Sequence, residues 1–401
     1  MHRKALGLAM AGLAAVPAAA AAQSASVTIY GRLYPEVIHT RMSGATAPAT
    51  TGLSTLAGTL TGETFDSVVK MDASNSRLGF RGEEPLGNGL RAFFQIEQRI
   101  FVDTGNPGST GFASRDTFVG LESEQWGLVK LGNMDTVYKS IGDTLSFLGI
   151  SSGNFVSNSN VLAKQGFGTS SSGSFHLRRA NSVWYETQEW KGLQWLVQYS
   201  PDEAKTTSRN AYLVSTGIKY EGGPVYAALS YELHNDTFGG SRNVRSSLSN
   251  ASNLDANSRD WSSRGTLQYR FGNHTVEGDV AYTRYHETGG LDGRFQEYKH
   301  WSAALSLDSK WSDAWRTAAA FDWAAKGSCA LFGGLPCTTD GLEGKQVSLG
   351  AAYYLSKRTS LFGLYAKLWN GKSAQYNNID GIDVSVGADT QQIAIGLQHN
   401  F

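Results

Sequence analysis

From residue 26 to the C-terminus, apolar side chains stand at every second position and small or polar ones fill the places between. Side chains of an extended strand point alternately to its two faces, so a period of two predicts β-strands with one greasy and one polar face. Val27, Ile29, Gly31 and Leu33 run against Thr28, Tyr30, Arg32 and Tyr34. Tyr212, Val214, Thr216, Ile218 and Tyr220 run against Leu213, Ser215, Gly217 and Lys219, and Leu267, Tyr269 and Phe271 against Thr266, Gln268 and Arg270. The last run sets Ile393, Ile395, Leu397 and Phe401 against Gln392, Ala394, Gly396 and Gln398.

A soluble sandwich also alternates, because its inner face is apolar and its outer face polar. Three features favour a transmembrane barrel. The joins alternate between tight (83–88, 122–126, 189–192, 221–224) and long (138–177, 233–259), as periplasmic turns and outer loops do. The polar faces are rich in small residues, which suits a crowded or water-filled lumen. Aromatics stand at strand ends, as Trp195, Tyr199, Tyr231, Trp261, Trp301 and Phe401 do, where interfacial girdles belong. Counting the runs gives about sixteen antiparallel strands, although eighteen also fits the length. Such a barrel is too wide for side chains to fill, so an aqueous channel remains.

Composition narrows the class further. Glycine is plentiful at 46 residues, proline scarce at 8, and only two cysteines occur, which suits long strands better than a disulfide scaffold. Segment 1–22 has a basic start (Arg3, Lys4), an apolar run and then five alanines, the pattern of a cleaved secretory signal. Its apolar run is too short to span about 30 Å of hydrocarbon as an anchor. The following 23–401 is then one barrel domain, because no linker or low-complexity tract divides it. With 35 basic and 35 acidic side chains the chain is near neutral, and no nucleic-acid partner is indicated.

Ser26-Val27-Thr28-Ile29-Tyr30-Gly31 resembles the first strand of the general porins of Gram-negative bacteria, of the neisserial and Burkholderia type. The stretch Asn75-Ser76-Arg77-Leu78-Gly79-Phe80-Arg81-Gly82-Glu83, with Leu86 to Glu97 after it, looks like the second hairpin of that family. Asn181-Ser182-Val183-Trp184-Tyr185, Leu355-Ser356-Lys357-Arg358-Thr359 and His399-Asn400-Phe401 are similar too. The resemblance implies a sixteen-stranded barrel of the outer membrane that trimerises, meets lipid and lipopolysaccharide, and passes small hydrophilic solutes and ions. It also implies that the third long loop, here 138–177, folds inward as a constriction.

Parity then assigns the lumen. If the apolar face meets lipid, Arg32, Arg77, Arg81, Arg91 and Glu97 point inward, and Arg178, Ser182 and Trp184 follow by the same rule. A charge on the lipid side at mid-membrane costs about 2–4 kcal/mol. For Arg115 and Lys130 parity is less decisive, since Phe118 and Val119 compete for the outward side. The resemblance implies basic residues of strands four and five on the channel wall, though Asn133 stands where the family usually has arginine. The loop at 138–177 carries one acid, Asp143, against Lys139, Lys164 and His176, so the narrow zone is expected to be net positive and weakly to moderately anion-preferring. Against that stands the option that the arginines pair with acids such as Glu36 or Glu97 and brace the wall.

Cys329 and Cys337 fall in one outer loop, and an exported chain meets an oxidising compartment, so a local disulfide is expected. No metal site is evident. No H-E-x-x-H, P-loop or C-x-x-C occurs, which argues against an outer-membrane hydrolase and against a bound cofactor. The remaining alternatives are a substrate-specific channel, in which Trp184 and the loop phenylalanines Phe147, Phe155, Phe167 and Phe175 form a rail for a sugar or carboxylate, and a plugged structural barrel.

Overall fold

The computed structural model describes residues 26–106, 111–145, 147–150, 153–202 and 205–401. The leader expected at 1–22 lies outside them. The alternating runs become nineteen extended segments in one sheet, and three neighbouring pairs of these are single strands with a break. The result is a closed barrel of sixteen antiparallel strands, not eighteen.

The first strands are β1 (Ser26–Leu33 and Glu36–Ser43), β2 (Phe65–Asp72 and Arg77–Gly87), β3 (Leu90–Arg99), β4 (Thr117–Ser123) and β5 (Gly127–Asp135). After a long join come β6 (Arg178–Glu186), β7 (Leu193–Pro201), β8 (Tyr212–Gly222), β9 (Val225–Asn235), β10 (Asn257–Phe271) and β11 (His274–Thr288). The barrel continues through β12 (Phe295–Lys310), β13 (Trp315–Ala324 and Ser328–Leu331), β14 (Gly344–Tyr354), β15 (Thr359–Asn370) and β16 (Asp389–Asn400). Closure is direct: β16 pairs with β1 from Asp389↔Ser43 to Arg32↔Asn400. Pro35 interrupts β1 because it has no N–H to give the ladder.

The two faces invert the order of a soluble core. Val27 is 63% and Ile395 68% exposed on the outer, lipid-facing surface, while Ser215 and Gln346 on the inner face are fully buried. Such burial of polar residues means that something fills part of the lumen. On the outer surface Tyr231, Trp261, Tyr282 and Trp301 touch in sequence, ring centroids 6.0, 5.6 and 4.8 Å apart, and form part of an aromatic belt.

Candidate functional site

The filling is the join between β5 and β6, residues 136–177. Thr136 caps a short helix, α1 (Val137–Ile141), with its side chain accepting from the Lys139 N–H. The apolar side of α1 enters the barrel: Val137 and Ile141 pack with Met134, Trp184 and Leu196. Gly217 of β8 makes this approach possible, since a Cβ there would stand 2.4 Å from Ile141 Cδ1. Gly350 of β14 does the same for Phe147, at 2.7 Å. The small inward residues therefore accommodate a loop as well as water.

Polar ties then fix the loop to β8 through β14. Tyr138 donates its N–H to Ser215 Oγ at 2.8 Å and its hydroxyl lies 2.9 Å from that of Ser262. Thr144 Oγ1 and the Leu145 N–H donate to Glu277 at 2.5 and 3.0 Å, and the Asp143 N–H to Asp279 at 3.1 Å. Past a second short helix, α2 (Ser159–Leu162), Ser302 Oγ donates to the Leu162 carbonyl at 2.8 Å. Phe167 and Phe175 are fully buried among Tyr138, Tyr285, Phe295 and Tyr298. Burial of two phenylalanines stabilises the inward conformation by roughly 3–6 kcal/mol before entropy is counted.

Opposite this loop, β1, β2 and β3 carry a basic row. Arg32 faces Arg77 across the β1–β2 ladder, and Arg77 faces Arg99 across β2–β3. Glu97 is the acid among them: it accepts from Arg115 Nε at 2.5 Å and from the Tyr30 hydroxyl at 3.1 Å, and lies 3.5 Å from Arg77 Nε. Arg32 donates to Asn400 Oδ1 at 3.0 Å and to the loop carbonyl of Gly149 at 2.5 Å. Arg81 lies 5.2 Å over the Tyr30 ring. Asn133 Nδ2 donates to the Arg115 carbonyl at 2.9 Å, so it supports this wall without adding charge. Arg32, Arg77, Arg81, Arg115 and Glu97 thus come together on one wall.

Arg99 was missed, although it stands two positions after Glu97 and shares its face. It makes no ion pair among the described residues and has the Phe101 ring 5.7 Å away.

Six expectations need correction. Arg91 lies beside the β2–β3 turn, paired with Glu83 and Glu122 at 2.5 Å each, six residues and so roughly 20 Å along the strand from Glu97. Arg178 is neutralised by Asp116 at 2.5 Å and Asp135 at 2.7 Å. Lys130 sits 4.1 Å over the Trp184 ring and 3.8 Å from Glu186. Trp184 itself is 2% exposed beneath α1, and Phe147, Phe155, Phe167 and Phe175 are buried likewise, so no aromatic rail faces the water. Glu36 is buried and accepts from Asn154 Nδ2 at 2.7 Å, which makes it a brace for the loop. Asp143 turns to the far wall, accepting from Asn158 Nδ2 at 2.8 Å, and burial beside Asp279 and Glu277 raises its carboxyl well above the usual range.

That far wall holds what residue counting along the loop could not find. Glu232, Asp260, Glu277, Asp279 and Asp322 of β9 to β13 all point inward and are buried. Asp143, Glu277 and Asp279 place oxygens within 4.8 Å of one another, and Arg264 Nε lies 3.9 Å from Asp279. The charges are segregated across the barrel, with the basic row open to the lumen and the acids covered by the loop.

Cys329 and Cys337 form a disulfide with Cα atoms 5.7 Å apart, next to Thr338, whose N–H donates to Thr55 Oγ1 at 2.9 Å. The staple closes a short loop within its own segment, and Thr338 beside it ties that loop to the segment of Thr55.

A family model for the Gram-negative porin matches residues 9–373. Outer membrane porin protein 32 of Delftia acidovorans is 29% identical over 405 residues, covering 98% of this chain and 99% of the relative. An outer membrane porin protein of Bordetella pertussis is 27% identical over 360 residues, covering 82% of this chain and 83% of the relative. Among solved structures, an anion-selective porin from Comamonas acidovorans superposes with a TM-score of 0.69 at 22% identity, over 94% of this chain and all of that one.

Proposed function

Because the chain belongs to the Gram-negative porin family, we propose that its outer-membrane diffusion channel for small hydrophilic solutes and ions has a weak to moderate preference for anions. The observation that carries this is the Arg32–Arg77–Arg99 row with Arg115 beside it and Glu97 as the shared counter-charge. The row has a surplus of three positive charges. Each contributes about 0.5 kcal/mol to an anion roughly 8 Å away in water, and screening over a similar length cuts the total by about half. The resulting bias is about threefold to fourfold. The Comamonas protein of the same fold is named anion-selective, which supports the sign.

The channel works without catalysis and without a cofactor, as a homotrimer in contact with lipid and lipopolysaccharide. The leader at 1–22 is removed on export. Residues 138–177 narrow the passage against the basic row. A sugar- or carboxylate-specific rail loses its support, because the aromatic rings that would form it are buried.

Reversal potentials in a potassium chloride gradient test the proposal on wild type and on Arg77→Ala plus Arg115→Ala. Chloride preference in wild type that falls in the variant is expected. Cation preference in wild type, unchanged by the two substitutions, overturns it.

A further inference from the structure

Residues 371–388, between β15 and β16, also fold into the barrel. Asn378 fixes them there: its Nδ2 donates to Gln346 Oε1 at 3.0 Å, its Oδ1 accepts from Thr390 Oγ1 at 2.6 Å, and its carbonyl accepts from Gln392 Nε2 at 3.0 Å. Gln346, Thr390 and Gln392 are buried on the inner face. The segment is joined to the third loop as well. Gln375 donates its N–H to the Gly166 carbonyl at 2.9 Å, and Lys164 Nζ donates to the Asn377 carbonyl at 3.2 Å.

From this platform Asp380 and Asp383 present exposed side chains to a cavity of about 320 Å³ that Gly153 and Lys164 also line. Two contacts bring the cavity to the basic row. Lys70 Nζ of β2 donates to the Asp380 carbonyl at 2.6 Å, and a Cβ at Gly153 would stand 3.9 Å from Arg99 Nη2. The negative field of Asp380 also reaches the Arg99 guanidinium.

We propose that Asp380 and Asp383 are the acidic side of the narrow zone, and that the last outer loop sets how far the channel leans toward anions. This rests on the basic-row account of selectivity. The third loop turns its single carboxylate, half-buried and held by Asn158, toward Glu277 and Asp279, so the acids beside Arg99 come from a different loop. The two carboxylates offset part of the attraction that the row exerts on an anion and give a cation a partner at the same depth.

The test is the reversal potential of the full chain in planar bilayers, with wild type, Asp380→Asn plus Asp383→Asn, and Asp255→Asn in the exposed outer loop as control. Among the described residues neither proposed side chain holds a hydrogen bond that the loop depends on, and gel mobility of the folded oligomer checks assembly. The double variant is expected to raise the chloride-to-potassium permeability ratio about twofold, while the control leaves it unchanged. An unchanged ratio in the double variant, or an equal rise in the control, overturns the proposal. A cation-preferring wild type refutes the basic-row account alone, because the shift between wild type and double variant is still read independently.

Discussion

Arg77 and Arg99 stand directly opposite each other across the β2–β3 ladder, without an acid between them. Like charges so placed destabilise a sheet by a few tenths to about 1 kcal/mol, so the pair is kept at the expense of stability. Glu97 offsets Arg77 and Arg115 but makes no contact with Arg99 that would neutralise it. Arg99→Gln is therefore expected to lower the chloride-to-potassium permeability ratio about twofold, with a thermal unfolding temperature no lower than wild type. Reversal potentials and a melting curve in detergent check both parts. A ratio that stays at the wild-type value means that the row acts only as a brace.

The third loop owes its position to buried rings more than to charge. Phe175 is fully buried, 6.1 Å from Tyr138 and stacked on His234 at 4.4 Å. Phe175→Ala removes that packing, at a cost of about 3–5 kcal/mol local to the loop. Single-channel records are expected to become noisier with a higher mean current, and proteolysis within 136–177 to become faster. Quiet records with the wild-type current would assign the anchoring to the polar ties of Tyr138, Thr144 and Asn158.

The disulfide is expected to matter for the outer loops and not for conduction. Cys329 and Cys337 are eight residues apart, and closing so short a loop stabilises by about 2.5 kcal/mol in the chain-entropy account. The neighbouring Thr338 ties this loop to the first outer loop through Thr55 and Leu53. Cys329→Ser plus Cys337→Ser should conduct as wild type does but lose the outer loops to protease sooner. A changed conductance would mean that the staple reaches the eyelet.

Much of the barrel was legible because a period of two is enforced at every strand that meets lipid: a charge on the wrong face costs several kcal/mol. Arg77, Arg81 and Glu97 share one strand face for that reason. Depth along the pore was not legible, since parity gives a face and no height, and Arg91 was put at the constriction when its pairs with Glu83 and Glu122 hold it at the turn. Nor does parity tell lumen water from lumen packing, which is why a rail of Trp184 and the loop phenylalanines stands among the alternatives at the level of sequence. The acids facing Arg99 escaped notice because Asp380 lies 281 positions further along the chain. Only the closed barrel, with β16 beside β1, brings that loop to β2 and β3.

Lys164 gives the channel a pH dependence that the arginines cannot. Burial in the third loop pushes its ammonium down to about 8 from the ordinary 10.5, and the loop lies outside the membrane-spanning strands. The neutral form is favoured in the folded chain, so this group lowers stability below pH 8, and the deficit is recovered as pH rises from about 8 to 10.5, where the unfolded chain also loses the proton. Selectivity moves in the opposite sense: above pH 8 one positive charge disappears from the cavity shared with Asp380 and Asp383, and anion preference declines. His176 in the same cavity stays neutral throughout, because burial and the nearby Lys139 hold it well below its usual value. Reversal potentials from pH 7 to 9.5 are expected to show a step near pH 8 in wild type. Lys164→Met should flatten that step and show at pH 7 the ratio that wild type reaches at pH 9. A step that survives the substitution belongs to another group, with Lys139 the first to test, since burial lowers it too against its Asp135 partner.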